Sequence, residues 1–368
     1  MDFTFSPDTE MLRDMLRRFV QKEARPLEMK YFTSGALDEP ERARLRQAVQ
    51  QLGLWGLTAP EEYGGGLDLI TACVIDEELG GTFIPIEIGD VTPVLYASQG
   101  EQVGRYLEPA LEASRQAIIA AREPGASGTR PDGWKTTAES EGDHFVLTGQ
   151  KSLTSVPQSG DFFIVFAHAA QGLTAFLLDA DAPDLILNGD GRRTLSMQGC
   201  RLGLDSVLGE PGGALKLGGV RASHAWIRSG ARYVGIAERL LEMGAEHART
   251  WVSLGAPLSA RPAIRRIVAE LRVDIESARW LVYHAAWVAD QGSEHRTRSA
   301  ACQVRLATGE MLKRVIDKTT ILFNGPGPSP QIEPNTLVKS VIPFDALELA
   351  LEGARTAIAV EILDISEV

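Results

Sequence analysis

The residues best suited to chemistry lie between Arg122 and Ser155. The stretch opens on Glu123-Pro124-Gly125-Ala126-Ser127-Gly128. Two glycines and a proline of fixed φ let the backbone double back there and bring bare N–H groups close to a ligand. Polar alternation follows through Lys135, Thr137 and Glu139, with a turn at Gly142-Asp143. Residues 144–148 read as a strand and Gly149-Gln150-Lys151 as a turn. As local physics this is a β-hairpin with a glycine-rich mouth. The mouth serves either as a structural turn or as a ligand loop, and the residues alone leave both open.

Composition narrows the setting. The 368 residues carry a formal net charge of −12, which argues against a general binder of nucleic acid or anionic membrane. The chain is long enough for two or three domains around a large core. Cys73, Cys200 and Cys302 are scattered, with no C-x-x-C pair. They read as core residues of a reducing compartment, so neither a disulfide framework nor a metal site is expected. The opening MDFTFSPDTE is neither a secretory signal nor an Arg-rich transit peptide. No 18-residue apolar run marks a membrane span. A cytoplasmic protein is the expectation.

The elements that must position the stretch come in three blocks. In residues 1–117, Ser6-Pro7 caps an amphipathic helix with Leu12, Met15, Leu16, Phe19 and Val20 at helical spacing, ending near Pro26. Further helices are expected at 39–52, 69–79, 93–97 and 101–112, with a loop of strand-like content at 53–65. In residues 118–220, short apolar runs at 162–166, 174–178, 185–187 and 215–217 read as strands of an antiparallel barrel or sandwich, with a turn at 189–191. In residues 221–368, four long helices at 222–251, 263–291, 296–323 and 344–363 read as a bundle.

REPGASG followed by GDHFVLTGQKSLTS resembles the middle-domain signature of the acyl-CoA dehydrogenase family, a TEPGAGSD-type turn, a GQK and a WITN-type strand end. MDFTFSPDTEMLRDMLRRFV, LGLWGLTAPEEYGG and IDEELGG are similar to the same family's N-terminal motifs in order and spacing. Residues 276–292 are very like one of its core helices. The resemblance implies an N-terminal all-α domain, a middle β-domain and a C-terminal four-helix bundle. It also implies FAD as cofactor, an acyl-CoA or related thioester as substrate, and electron-transfer flavoprotein as acceptor.

Carried over residue by residue, the resemblance places Ala126, Ser127 and Gly128 near the flavin and the acyl-CoA. Ser155 stands where a hydroxyl donates to flavin N5, the atom that receives hydride. Arg122 replaces the usual threonine of the turn, and Leu153 the tryptophan that covers the flavin face. Trp251 and Pro262 stand for an arginine and a glutamine at the flavin pyrophosphate. Ile321 stands for another glutamine before the loop that holds Gly325. Arg249, Arg261 and Arg265 lie near in sequence as compensating cations. By position, Val94, Leu95 and Tyr96 line the acyl pocket.

The family's base is a glutamate in a Y-E-G-T motif, and the nearest match is Glu352 in Leu351-Glu352-Gly353-Ala354. Glu352 borders the stripe Leu347, Leu351, Ala354 and Ile358, where a half-buried carboxylate gains the raised pKa of a base. It is equally placed to pair with Arg355 at i+3. The alternative base position on the first long C-terminal helix is Ala225. Two leading functions follow, beside a third, a flavin protein of the same fold with other chemistry, such as an oxidase or a biosynthetic desaturase. One is a dehydrogenase that forms a 2,3-enoyl thioester by α-proton abstraction and hydride transfer to N5. The other is a catalytically silent, FAD-poor partner subunit of a heteromeric dehydrogenase. The family's flavin touches a neighbouring subunit, so a homodimer, homotetramer or mixed assembly is implied.

Overall fold

The computed structural model describes residues 4–125, 131–153, 161–188, 193–217, 219–323 and 344–365. The chain divides into two compact units: residues 1–88 with 223–368, and residues 89–222.

The helical unit begins with α1 (Pro7–Phe19), where the Ser6 hydroxyl accepts from Thr9 N. The helical path does not stop at Pro26. A π-type turn (Val20–Ala24) and a 3-10 turn (Arg25–Leu27) lead into α2 (Glu28–Ser34). Proline fits there because it sits in the first turn of the new segment, where its missing N–H has no intrahelical partner to lose. α3 (Glu39–Gln51) is capped by Asp38, and α4 (Leu69–Leu79) by Asp68. The apolar segment between α3 and α4 forms turns and a 3-10 turn (Glu61–Tyr63), not a strand.

In the sheet unit, a 3-10 turn (Pro93–Ala97) and α5 (Glu108–Leu111) come before the strands. Residues 89–117 pack on the sheet. Gln102 Nε2 donates to the Asp205 and Val207 carbonyls at 2.6 and 2.8 Å, and the Tyr106 hydroxyl reaches Asp179 at 3.1 Å. Eight strands follow: β1 (Ala117–Ala120), β2 (Thr137–Glu141), β3 (His144–Leu153), β4 (Phe162–Ala169), β5 (Gly172–Asp179), β6 (Leu185–Asn188), β7 (Arg193–Gly203) and β8 (Val207–Leu208). The order is β6-β7-β3-β2-β4-β5-β8, with β1 on β4. Pairing is antiparallel except at β1–β4 and the single β2–β4 contact, so the expected all-antiparallel arrangement is amended at those two places. Residues 215–217 form a 3-10 turn (Ala214–Lys216), not a strand, and 189–191 lie outside the described residues.

β3 also runs through the turn expected at 149–151. Its partner β7 absorbs the irregularity: register shifts opposite Leu147/Thr148, and Gly199 takes a φ of 83°. Gly149 is fixed by crowding, since a Cβ there would lie 2.5 Å from Thr136 Oγ1. β3 therefore keeps strict alternation, and Phe145, Leu147, Lys151 and Leu153 all face the interior.

The rest of the helical unit contains α6 (Gly219–Thr250, from Ser223), α7 (Pro262–Asp290), α8 (Glu294–Leu322) and α9 (Phe344–Leu363), with a short antiparallel pair, Val252–Ser253 and Ala256–Pro257, between α6 and α7. One core joins them to α4 through Cys73, Ile227, Leu240, Ile275, Leu312 and Leu351. The three cysteines are buried and free. Among the described residues, no helix is long and apolar enough to cross a membrane, and no cluster of ligating side chains is set to hold a metal.

Candidate functional site

The mouth of the β2–β3 hairpin is held from inside. Arg122 accepts from Ser152 N at 2.8 Å through its carbonyl, which ties the segment after β1 to the end of β3. The Glu123 carboxylate accepts from Lys135 N at 2.6 Å, Thr136 N at 2.8 Å and Lys151 Nζ at 3.0 Å. Lys151 also donates to the Ala121 carbonyl at 3.1 Å and lies 4.5 Å from the centre of the Trp134 ring. Its side chain is fully buried and that of Glu123 nearly so. Burial drives the Glu123 carboxyl upward, but the donors around it prevail and bring it to about 2. Burial lowers the Lys151 ammonium, and Glu123 offsets part of that.

Arg122 is the opposite case. Its Nε and Nη1 are buried and have no partner among the described residues. The nearest carboxylate in sequence, Glu123, is already committed. The residue as a whole is half-buried, so the cost falls on these two nitrogens: an unmet buried donor costs roughly 1–3 kcal/mol, and more in a charged group. Leu153 is 2 % exposed within the core of the sheet, so its side chain offers almost no surface to a ligand. Ala126, Ser127, Gly128, Ser155 and Gly325 lie outside the described residues. Tyr96 sits in the 3-10 turn after Thr92, with the Arg221 guanidinium 5.5 Å from its ring centre, and the neighbouring Leu95 is fully buried.

In the helical unit, Trp251 closes α6 and is 53 % exposed. Its ring stacks on His247 at 5.4 Å, and His247 also meets Phe323 at 5.0 Å. Ile321 is 58 % exposed. These two side chains offer water a surface without an acceptor-seeking cation. Arg249 and Arg265 line a cavity of about 650 Å³ with Leu241, Ile264 and Val268. Arg249 is paired to Glu246, Arg265 Nε donates to the Ser259 carbonyl, and Arg261 Nη2 donates to the Ser253 carbonyl.

Glu352 is 64 % exposed at its side chain and paired with Arg355. Of its two readings, the ion pair is the one the geometry contains. Arg355 also reaches Glu310 on α8 through its other terminal nitrogen, so it bridges two carboxylates. Leu351 and Ala354, on either side of Glu352, are buried.

Family models for the N-terminal and C-terminal domains of acyl-CoA dehydrogenase match residues 6–113 and 221–341. The chain belongs to the acyl-CoA dehydrogenase family. It is 29 % identical to the (R)-benzylsuccinyl-CoA dehydrogenase of Thauera aromatica, over 99 % of this chain and 97 % of that one. It is 27 % identical to the human mitochondrial short-chain specific acyl-CoA dehydrogenase, over 87 % and 82 %. The butyryl-CoA dehydrogenase structure from Megasphaera elsdenii shares the fold with a TM-score of 0.81 at 23 % identity, covering 99 % of this chain and all of that one. The class is thus that of the acyl-CoA dehydrogenases, oxidoreductases whose family is flavin-dependent.

Glu123 and Lys151 stand in separate motifs of the sequence, 28 residues apart. Alternation through Phe145, Leu147 and Leu153 was the available signal, because it puts Lys151 on the inner face, where an ammonium requires a carboxylate.

Proposed function

We propose that this chain carries out the FAD-dependent oxidation of an acyl-CoA thioester to its 2,3-enoyl form. The observation that carries the cofactor is Arg122, whose two buried donors need an electron-rich acceptor that the described residues do not supply. FAD, when bound, supplies the acceptor for the hydride that leaves the β-carbon. Arg122 holds the electron-rich group at the hairpin mouth, and the buried Glu123–Lys151 pair keeps the Arg122 backbone in place. The backbone at Ala126, Ser127 and Gly128 and the Ser155 hydroxyl complete that side. Tyr96 takes part in the wall of the acyl pocket. Arg249 and Arg265 supply the positive charge for the pyrophosphate that Trp251 and Ile321 lack. Gly325 is assigned to cofactor binding in the same reading.

Glu352 takes the α-proton in this reading. Arg355 must release it first, and Glu310 is placed to keep the guanidinium paired when it does. A general base of this kind contributes typically about 10²–10⁴-fold. Electron-transfer flavoprotein is the proposed acceptor, and the working assembly is an oligomer of this chain or of this chain with a homologue.

A second reading is favoured by one set of observations: exposed Trp251 and Ile321 and an ion-paired Glu352. In it the chain is a silent, FAD-poor subunit that completes a homologue's site. The absorbance spectrum of the purified chain, with and without added FAD, separates the two. Stoichiometric flavin bands that bleach on adding acyl-CoA support the first. A colourless chain that acquires flavin only with a motif-complete homologue supports the second. Calorimetry that finds no FAD bound in either state ends both.

A further inference from the structure

We propose that Arg122 tunes the flavin's reduction potential, binding the two-electron reduced, anionic ring more tightly than the oxidised one. This rests on the FAD-dependent reading above. The Arg122 carbonyl is fixed to Ser152 N at 2.8 Å, and the next residue, Glu123, is fixed by Lys135 N, Thr136 N and Lys151 Nζ. The backbone that carries the guanidinium is therefore fixed at both Arg122 and Glu123. Nε and Nη1 are buried without an acceptor, and the one adjacent carboxylate is consumed by Lys151.

Such a group is unfavourable in the empty fold and becomes favourable when negative charge arrives. The resemblance gives the end of β3, to which the Arg122 carbonyl is bonded, to the ring of the cofactor, so in this reading the charge met by Arg122 is that of the ring. An oxidised flavin ring is neutral and its two-electron reduced form carries one negative charge when deprotonated. A permanent cation with two of its nitrogens shielded from water discriminates between them, because the interaction strengthens with the charge and is screened less than in bulk water. The electrons come from the thioester substrate, so a higher potential draws the oxidation forward.

The test compares wild type with Arg122→Met, which keeps length and loses charge, and Arg122→Lys, which keeps charge. The protein is taken in whichever assembly holds FAD. The midpoint potential is read against a reference dye, and the oxidised-FAD Kd by calorimetry. Arg122→Met is expected to weaken the reduced form at least tenfold more than the oxidised form. That lowers the potential by about 30 mV for each tenfold of a two-electron couple. Arg122→Lys should recover most of the shift. An unchanged potential in Arg122→Met overturns the inference and leaves the dehydrogenase reading intact. An equal loss of affinity in both redox states also overturns it, since the cation is then only an anchor. If wild type holds no FAD alone or with a homologue, the dehydrogenase reading fails and takes the inference with it.

Discussion

Lys151 Nζ lies 3.0 Å from Glu123 Oε1, with the Lys151 side chain fully buried and that of Glu123 nearly so. Removing one partner strands the other, which in buried pairs costs about 3–5 kcal/mol. Lys151→Met should therefore lower the unfolding free energy by about that amount in urea titrations. The Lys151→Met/Glu123→Gln double variant should recover part of it. A single-variant loss below about 1 kcal/mol would mean the pair is not closed as described.

The same carboxylate sets an acid limit. Glu123 titrates near 2 in the folded protein against an ordinary value of 4.5. The unfolded chain therefore binds the proton more readily. The stabilisation is complete above pH 4.5 and is lost as pH falls from there towards 2, to a total of roughly 3 kcal/mol. Glu123→Gln should flatten the acid side of a Tm-against-pH curve over that window. An unchanged slope between pH 4.5 and 2 would remove Glu123 as its source.

Glu352→Gln tests the base. It is expected to lower turnover by about 10²–10⁴-fold with FAD content and Tm nearly unchanged, because an exposed pair contributes about 0–1 kcal/mol to stability. Glu310→Gln should slow turnover in the same direction but less, since Arg355 then has only Glu352 to hold. Flavin reduction by substrate at the wild-type rate in Glu352→Gln would end the assignment.

Much of the scaffold could be read from the residues because its signals are local. α4 lies at the expected Leu69–Leu79, and the long C-terminal helices lie within a few residues of their expected ends. β7 went unread because Arg193–Gly203 mixes Arg, Ser, Gln and Gly, and its strand character comes from β3 and β6 on either side. Leu215 suggested a strand on apolar content, but β5 pairs with Val207–Leu208 instead. The site was less legible. Glu352's two neighbourhoods, apolar stripe and Arg355, are equally local, and only the position of Glu310 on another helix shows that Arg355 has a second carboxylate. Arg122's lack of a partner depends on where Glu123 turns, which no spacing along the chain records.

α4 and α6 touch through glycines. A Cβ on Gly235 would lie 2.0 Å from the Glu77 carbonyl oxygen and 2.8 Å from Gly80 Cα, and one on Gly80 would lie 2.4 Å from the Arg232 carbonyl oxygen. The obstructions are backbone atoms, so neither helix can yield without moving whole. Gly235→Ala should destabilise by about 2–3 kcal/mol or more, at the upper end of overpacking. Gly104→Ala is the control, because its Cβ would meet only Glu108 Oε2 at 3.8 Å. That change should be neutral or stabilise by about 0.4–1 kcal/mol. Equal Tm losses in the two variants would contradict the close crossing.

The weakest part of the proposed FAD site is open to repair. Trp251 and Ile321 are both more than half exposed, so replacing them disturbs little packing. Trp251→Arg adds a cation and Ile321→Gln an amide where the family uses such groups for the pyrophosphate. Each new hydrogen bond to a charged group is worth about 1.5–3 kcal/mol. That converts to about 10- to 150-fold in Kd for each, if the geometry is met. Calorimetric titration of FAD into the double variant should show tighter binding by at least tenfold, with an affinity that falls as salt rises. If affinity stays at the wild-type level, the pyrophosphate does not lie against Trp251 and Ile321. The cations at Arg249 and Arg265 would then be the ones to remove next, and their loss should abolish whatever binding the wild type has.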